Sequence, residues 1–260
     1  MAGYKIPVFA KGMVLTDEML ESLKAYLTDW SGLEYEGYSD GILSGCRVTT
    51  SGNMLNVGKG IVIYKKRLYL LSEETTLLAK PHDEWQRVIL RMGSVCRTGG
   101  FEFGELWIEI TSETDGLINC LEICRFRLQP GAVLRDQYTG FADMDTEYDT
   151  INELYAQWAG YGEATVSQRI LHQFAMQMTE GVMTNPLDTM FVMQIMNCGN
   201  QSLPRTMINT YLSARLQTAY QNRTNREVYE GLAAIVRRDR TGMIHGRDRT
   251  QEREKRLLVD

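Results

Sequence analysis

Between residues 37 and 78 the apolar positions come in short runs, each closed by turn residues. Residues 46–50 precede Ser51-Gly52-Asn53, and residues 54–57 precede Gly58-Lys59-Gly60. Residues 61–64 precede Lys65-Lys66, and residues 68–71 precede Ser72-Glu73-Glu74. Strands of this length with Gly, Asn or Ser at every break predict an antiparallel meander. Residues 85–92 alternate, with Val88, Leu90 and Met92 on one face and Arg87, Ile89 and Arg91 on the other. Further strands are predicted at 106–111 and 119–128, with a Gly-containing hairpin or excursion at 94–104. Gln129-Pro130-Gly131 closes this region with turn chemistry.

Two stretches carry a helical period. Thr16 is placed as an N-cap, with Asp17 and Glu18 in the first turn, where the helix dipole favours acids. Met19, Leu20, Leu23, Tyr26, Leu27 and Trp30 then form an apolar stripe, and Gly32 is the expected stop. Such a helix either covers a face of the sheet or docks on a neighbouring subunit. Beyond the β region, residues 149–158 space Ile151, Leu154, Tyr155 and Trp158 as a short helix. Residues 163–181 space Val166, Ile170, Phe174 and Met178 at steps of four. Asn185-Pro186, Ser202-Leu203-Pro204 and the capping box Thr224…Glu227 open three more. The expected fold is α+β: an N-terminal arm and helix (1–32), an antiparallel β sandwich or barrel (33–135), an acidic linker (136–149), a C-terminal α-helical bundle (150–240) and a charged tail (241–260). Met176, Met178, Met183, Met190, Met193, Met196 and Met207 crowd the helical part; methionine suits an irregular core or a forgiving interface, and core is the first expectation.

Composition narrows the function. The chain has 260 residues, 43% of them hydrophobic, and a net charge of -5, which gives no general pull toward nucleic acid. The basic residues near the end, such as Arg247 and Arg249, alternate with Asp248, Glu252 and Glu254, so they form no unbroken basic face. No apolar run approaches the roughly 20 residues of a membrane span, so no membrane insertion is expected, and the opening residues lack the apolar core of a secretory signal. Five scattered cysteines suit free thiols in a reducing cytosol. On a strand, Cys120 and Cys124 would share a face roughly 13 Å apart, too far to share a metal or a disulfide. Asp143, Asp145 and Glu147 imitate the start of a calcium loop, but Tyr148 and Leu154 stand where Gly and Glu are needed. His172 has no second ligand at metal spacing and is expected to be packed or hydrogen-bonded. Residues 99–104 lack the Gly-Lys-Ser/Thr of a phosphate loop, and Ser44 lacks the flanks of a nucleophile elbow. No catalytic, cofactor or metal residue is assigned, and no enzyme activity is expected.

The segments S-D-G-I-L-S-G-C-R-V (39–48) and G-N-M-L-N-V-G-K-G-I-V-I-Y-K-K-R-L-Y-L-L (52–71), with the opening K-G-M-V-L-T-D-E-M-L (11–20), resemble a known module. It is the N-terminal β module of tail, baseplate and fibre-attachment proteins of phages and phage-derived tail-like particles of Gram-positive bacteria. The resemblance covers about residues 9–78. It implies a protein made in the bacterial cytoplasm and seated by short strands in a phage virion tail or tail-like particle. Its partners would be other tail and baseplate proteins and copies of itself, with a fibre or receptor-binding protein as a further partner. No collagen-like, heptad or β-helical repeat follows Asp149, which favours a baseplate or adaptor component over a receptor-binding tip. Met19, Leu23, Trp30, Tyr38, Tyr64, Tyr69 and Trp85 are the candidate interface residues, since aromatic and apolar anchors carry most interface energy. Two other functions stay open: a carbohydrate-binding module with exposed Trp and Tyr, and a cell-wall glycan hydrolase, which needs two facing carboxylates.

Overall fold

A computed structural model describes residues 5–113, 118–199 and 201–238. Among them the chain is mixed α and β, with five α-helices, one 3-10 helix and antiparallel sheets. β1 (Gly41–Gly45), β4 (Gly60–Tyr64) and β5 (Arg67–Leu71) form one sheet in the order β1-β4-β5. β2 (Val48–Ser51), β3 (Met54–Val57) and β6 (Thr75–Leu78) form a second in the order β2-β3-β6. In the third, β7 (His82–Thr98) lies between β8 (Phe101–Thr111) and β9 (Cys120–Leu128). Val48, Leu55, Val57, Val62, Val88, Leu90 and Phe126, drawn from all three sheets, are 0% exposed and share one core.

Turn chemistry places the breaks. Lys65 (φ 50°) and Lys66 (φ 61°) join β4 to β5, and Gly99 (φ 57°) and Gly100 (φ 81°) join β7 to β8. Two consecutive positive φ values match the twist of the flanking strands. The run at 46–50 is not one strand. Cys46, at φ 52°, ends β1, and β2 starts at Val48. Residues 94–104 are no excursion, because β7 and β8 continue to pair through a bulge between Met92 and Val95. A second irregularity, at Val88/Ile89, shifts the phase of β9, so Ile123 and Cys124 are both buried while Cys120 is half-buried. The two cysteines therefore do not share a face. Burial holds the Cys124 thiol well above its ordinary range.

Residues 149–158 are not a helix. Asp149 sits at φ 56°, and the Asn152 side chain accepts the Leu154 N–H at 2.9 Å, a local bond that competes with helix. The segment instead runs extended against the sheets. Asn152 exchanges backbone hydrogen bonds with Arg125 of β9 at 2.8 and 2.9 Å. Ile42 of β1 donates to the Gln157 carbonyl and accepts from the Ala159 N–H, both at 2.8 Å. This approach requires Gly41, where a Cβ would lie 2.5 Å from the Ala159 nitrogen.

The helical part packs on the other side of that segment. α2 (Gln168–Thr179) starts later than expected, because Thr165 pairs with Trp158 and Ser167 caps the helix. α3 (Pro186–Asn197) opens on the expected Asn185 cap. α4 (Arg205–Leu216) follows Pro204, and α5 (225–238) opens on the capping box, with Thr224 N–H donating to Glu227 at 2.7 Å and Glu227 N–H to Thr224 at 3.2 Å. Phe174, Ile195, Ile208, Leu212 and Leu232 are buried in a shared core, where the Phe191 and Tyr211 rings stack at 3.9 Å. Asp188 is fully buried and accepts from the Tyr211 hydroxyl at 2.7 Å and from Arg215 at 2.9 Å, so its charge is compensated.

The acidic stretch at 136–149 is not a solvated linker. Phe141 and Met144 lie in the helical core, on a 3-10 helix spanning Phe141–Asp145. Its acids are paired: Asp143 with Arg135 through two bonds of 2.6 Å, Asp145 with Arg226, and Glu147 with Arg127. Those bonds from Arg135, with the Thr139 N–H and Thr146 hydroxyl, hold the Asp143 carboxyl well below the usual range. A depressed acid stabilises the fold above its unfolded value, about 3.9, and loses this as pH falls toward the folded value. Asp143→Asn is therefore expected to cost about 1–2 kcal/mol at pH 7. In urea unfolding, the gap from wild type should shrink below about pH 4.

Candidate interaction surface

α1 (Asp17–Glu34) begins as its sequence requires, with the Thr16 hydroxyl accepting the Met19 N–H at 3.3 Å. It does not stop at Gly32. The helix passes through that residue and closes where the Tyr35 N–H reaches the Ser31 carbonyl at 3.2 Å. In front of it runs an extended arm, whose start is tied back by a Lys5–Glu18 ion pair and by the Ser22 hydroxyl donating to the Lys5 carbonyl at 2.9 Å. The hydrogen bond and charge of Lys5 lower the Glu18 carboxyl pKa.

No residue from 5 to 34 is buried. Phe9, Met13, Val14, Leu20, Leu23, Tyr26, Leu27 and Trp30 are all exposed, Trp30 by 55%. The helix thus does not cover a sheet face. Between its C-terminal half and β5 and β8 lies an open cleft of about 760 Å³, lined by Leu27, Ser31, Tyr35, Tyr38, Leu68, Tyr69, Leu70 and Val95. At about 100° per residue, Met19, Leu23 and Trp30 centre roughly a third of a turn from the side that faces this cleft. Tyr38 stands edge-on to Tyr35 at 5.4 Å and to Tyr161 at 6.2 Å, and partial burial raises its hydroxyl pKa.

The seven sequence-predicted residues fall into separate places. Met19, Leu23 and Trp30 line α1; Tyr38 and Tyr69 both line the cleft. Tyr64 is apart, at the β4–β5 turn, with its hydroxyl donating to Asn119 at 3.1 Å. Trp85 is half-buried on β7, 6.0 Å from the Arg127 guanidinium. Sequence reasoning missed the end of the β7–β8 hairpin, where Phe101 is 68% exposed; the F-x-F after Gly99-Gly100 was its signal. The methionine expectation also changes. α3 buries Asp188, Phe191, Val192 and Ile195, and this turns Met190, Met193 and Met196 outward. Met178 alone of the seven is buried. His172 is exposed at a cleft of about 410 Å³, beside Glu153, whose carboxylate takes the Ser167 hydroxyl at 2.9 Å and pairs with Arg169. Among the described residues no group of three or more His, Cys, Asp or Glu side chains could hold a metal ion, and no helix is long and apolar enough to cross a membrane.

No family model matches the chain, and no curated protein does. Solved structures match at low similarity. A crystal structure of TssK aligns over 90% of this chain and 69% of its own, at 10% identity and TM-score 0.38. A TssK-TssF-TssG baseplate subcomplex of the type VI secretion system, seen by cryo-electron microscopy, aligns over 91% and 98%, at 8% and 0.40. The baseplate complex from the type VI secretion system aligns over 91% and 69%, at 11% and 0.39. At these scores the likeness carries no argument about the chain.

Because α1 buries nothing, Leu23→Ser combined with Trp30→Ser should change the unfolding free energy of the free chain by no more than about 0.5 kcal/mol. Chemical denaturation of the two chains side by side measures this. A loss of several kcal/mol would show that the helix is a core element.

Proposed function

We propose that this chain is a structural subunit of a phage tail or phage-derived tail-like particle, a baseplate or adaptor component that joins other subunits without catalysing a reaction. The observation that carries the reading is the segment 5–34, whose arm and helix expose apolar side chains and bury none. Contiguous exposed apolar surface marks an interaction site. Each such side chain is already partly covered, so its full desolvation by a partner contributes less than complete burial would, about 1.5–3 kcal/mol. The resemblance of residues 9–78 to tail and baseplate modules supports the same reading, because the arm and α1 directly precede the strands of that module. One of the weakly similar structures is a baseplate subcomplex of TssK with TssF and TssG. A like partnership with other baseplate proteins is part of this proposal, as is attachment of a fibre or receptor-binding protein.

Deleting residues 1–34 tests it. The truncated chain should stay folded, with its thermal transition close to that of the full chain. Particles from a strain carrying only this form should lack the subunit when analysed by mass spectrometry and electron microscopy. Incorporation at the wild-type level would overturn the assignment of this surface. A full chain that never copurifies with particles would overturn the function.

A further inference from the structure

The charges around α1 are one-sided. The helix carries Asp17, Glu18, Glu21, Asp29 and Glu34 against one base of its own, Lys24, with Glu18 paired to Lys5 of the arm. Asp29 borders the apolar stripe and Glu34 falls within it, by helical position. Two such helices laid face to face would repel. Among the described residues, a surface of the opposite character lies at the far wall of the cleft. Leu68 and Leu70 of β5 are 37% and 67% exposed, and Val95 of β7 is 42% exposed. Around them stand Lys66, Arg67 and Arg97, offset by Glu102, which pairs with both arginines, while Lys65 on the adjoining turn reaches Asn119 with its ammonium at 2.9 Å. Lys65 and Lys66 sit on the exposed β4–β5 turn, where neither supports the core. β5 is also an edge strand of its sheet.

We propose that the acidic, apolar stripe of α1 docks on the basic, apolar β5 wall of a second copy of this chain. This inference rests on the assembly reading above and names one partner for it. Within one chain the stripe centres away from the wall, so the two surfaces are presented outward separately. The contact is head-to-tail: each copy gives α1 to one neighbour and receives α1 from another, which generates a ring where the rotation closes and a filament where it does not. The attraction between unlike charges at this rim makes association sensitive to salt.

Sedimentation velocity of the full chain, over a range of concentrations and at low and high salt, tests the proposal. The wild type should self-associate, and more weakly at high salt. Lys65→Glu with Lys66→Glu should weaken association at least tenfold, and so should Asp29→Lys with Glu34→Lys. A chain carrying all four changes should regain it, and so should a mixture of the two paired variants. Circular dichroism of each variant establishes that it is folded; the second pair places cations at a helix C-terminus, where the dipole favours them. A wild type that stays monomeric at every concentration overturns the inference, as does association unchanged by either reversal. A monomer that still enters the particle, through segment 5–34, leaves the subunit reading standing and removes only this contact.

Discussion

The fold depends on one irregular segment, residues 149–165, that bonds to both halves; it turns at 153–156 and folds back where Trp158 and Thr165 exchange backbone hydrogen bonds. A buried backbone amide must find a partner. Here Asn152 finds it in Arg125, and Ala159 finds it in Ile42. From the helical side, Asn225 donates to the Ala156 carbonyl at 3.1 Å and Arg205 to the Ala164 carbonyl at 3.0 Å, and the segment's Thr165 hydroxyl donates to the Leu203 carbonyl at 2.7 Å. The sheets and the helices are therefore coupled through hydrogen bonds to a common strand of chain. Gly41 sets how closely β1 can approach it.

Much of the local structure was legible from the residues, because it rests on short-range chemistry. The Thr16, Asn185 and Thr224 caps act within three residues of themselves. The strand breaks after Tyr64 and Thr98 follow from residues that hold positive φ. Segment 149–158 misled because Ile151, Leu154 and Trp158 are all core-facing or half-buried, yet for a different reason than helical period. They face two cores in turn: Ile151 toward the sheets, Leu154 toward the helices. An apolar spacing cannot tell one face of a helix from a chain threaded between two layers. The acidic stretch misled in the same way. Its charges suggested solvent, while its partners Arg127, Arg135 and Arg226 lie up to 81 positions away in sequence.

The candidate surface was half legible. The apolar stripe of α1 follows from the pattern, and Tyr38 and Tyr69 were among the candidate residues, but whether the stripe faces the sheet does not follow, since burial is decided by where the helix is carried. The outward methionines of α3 show the converse. Once Phe191 and Ile195 fill the core, the remaining apolar positions have no side left but the surface. Composition is blind to that choice.

A helix that packs on nothing is held only by its cap, its ion pair and its intrinsic propensity, and an isolated helix of this length is marginal in water. In the proposed assembly, a partner that covers α1 would stabilise it, and the entropy of any ordering would be charged against binding at that moment. Such a contact is weak for its area and quick to release, and strength comes from many copies engaging together. For the cell this has a practical side. If the subunit reading holds, a copy made in excess of its partners would present uncovered apolar surface, and synthesis would have to track the supply of sites that receive it.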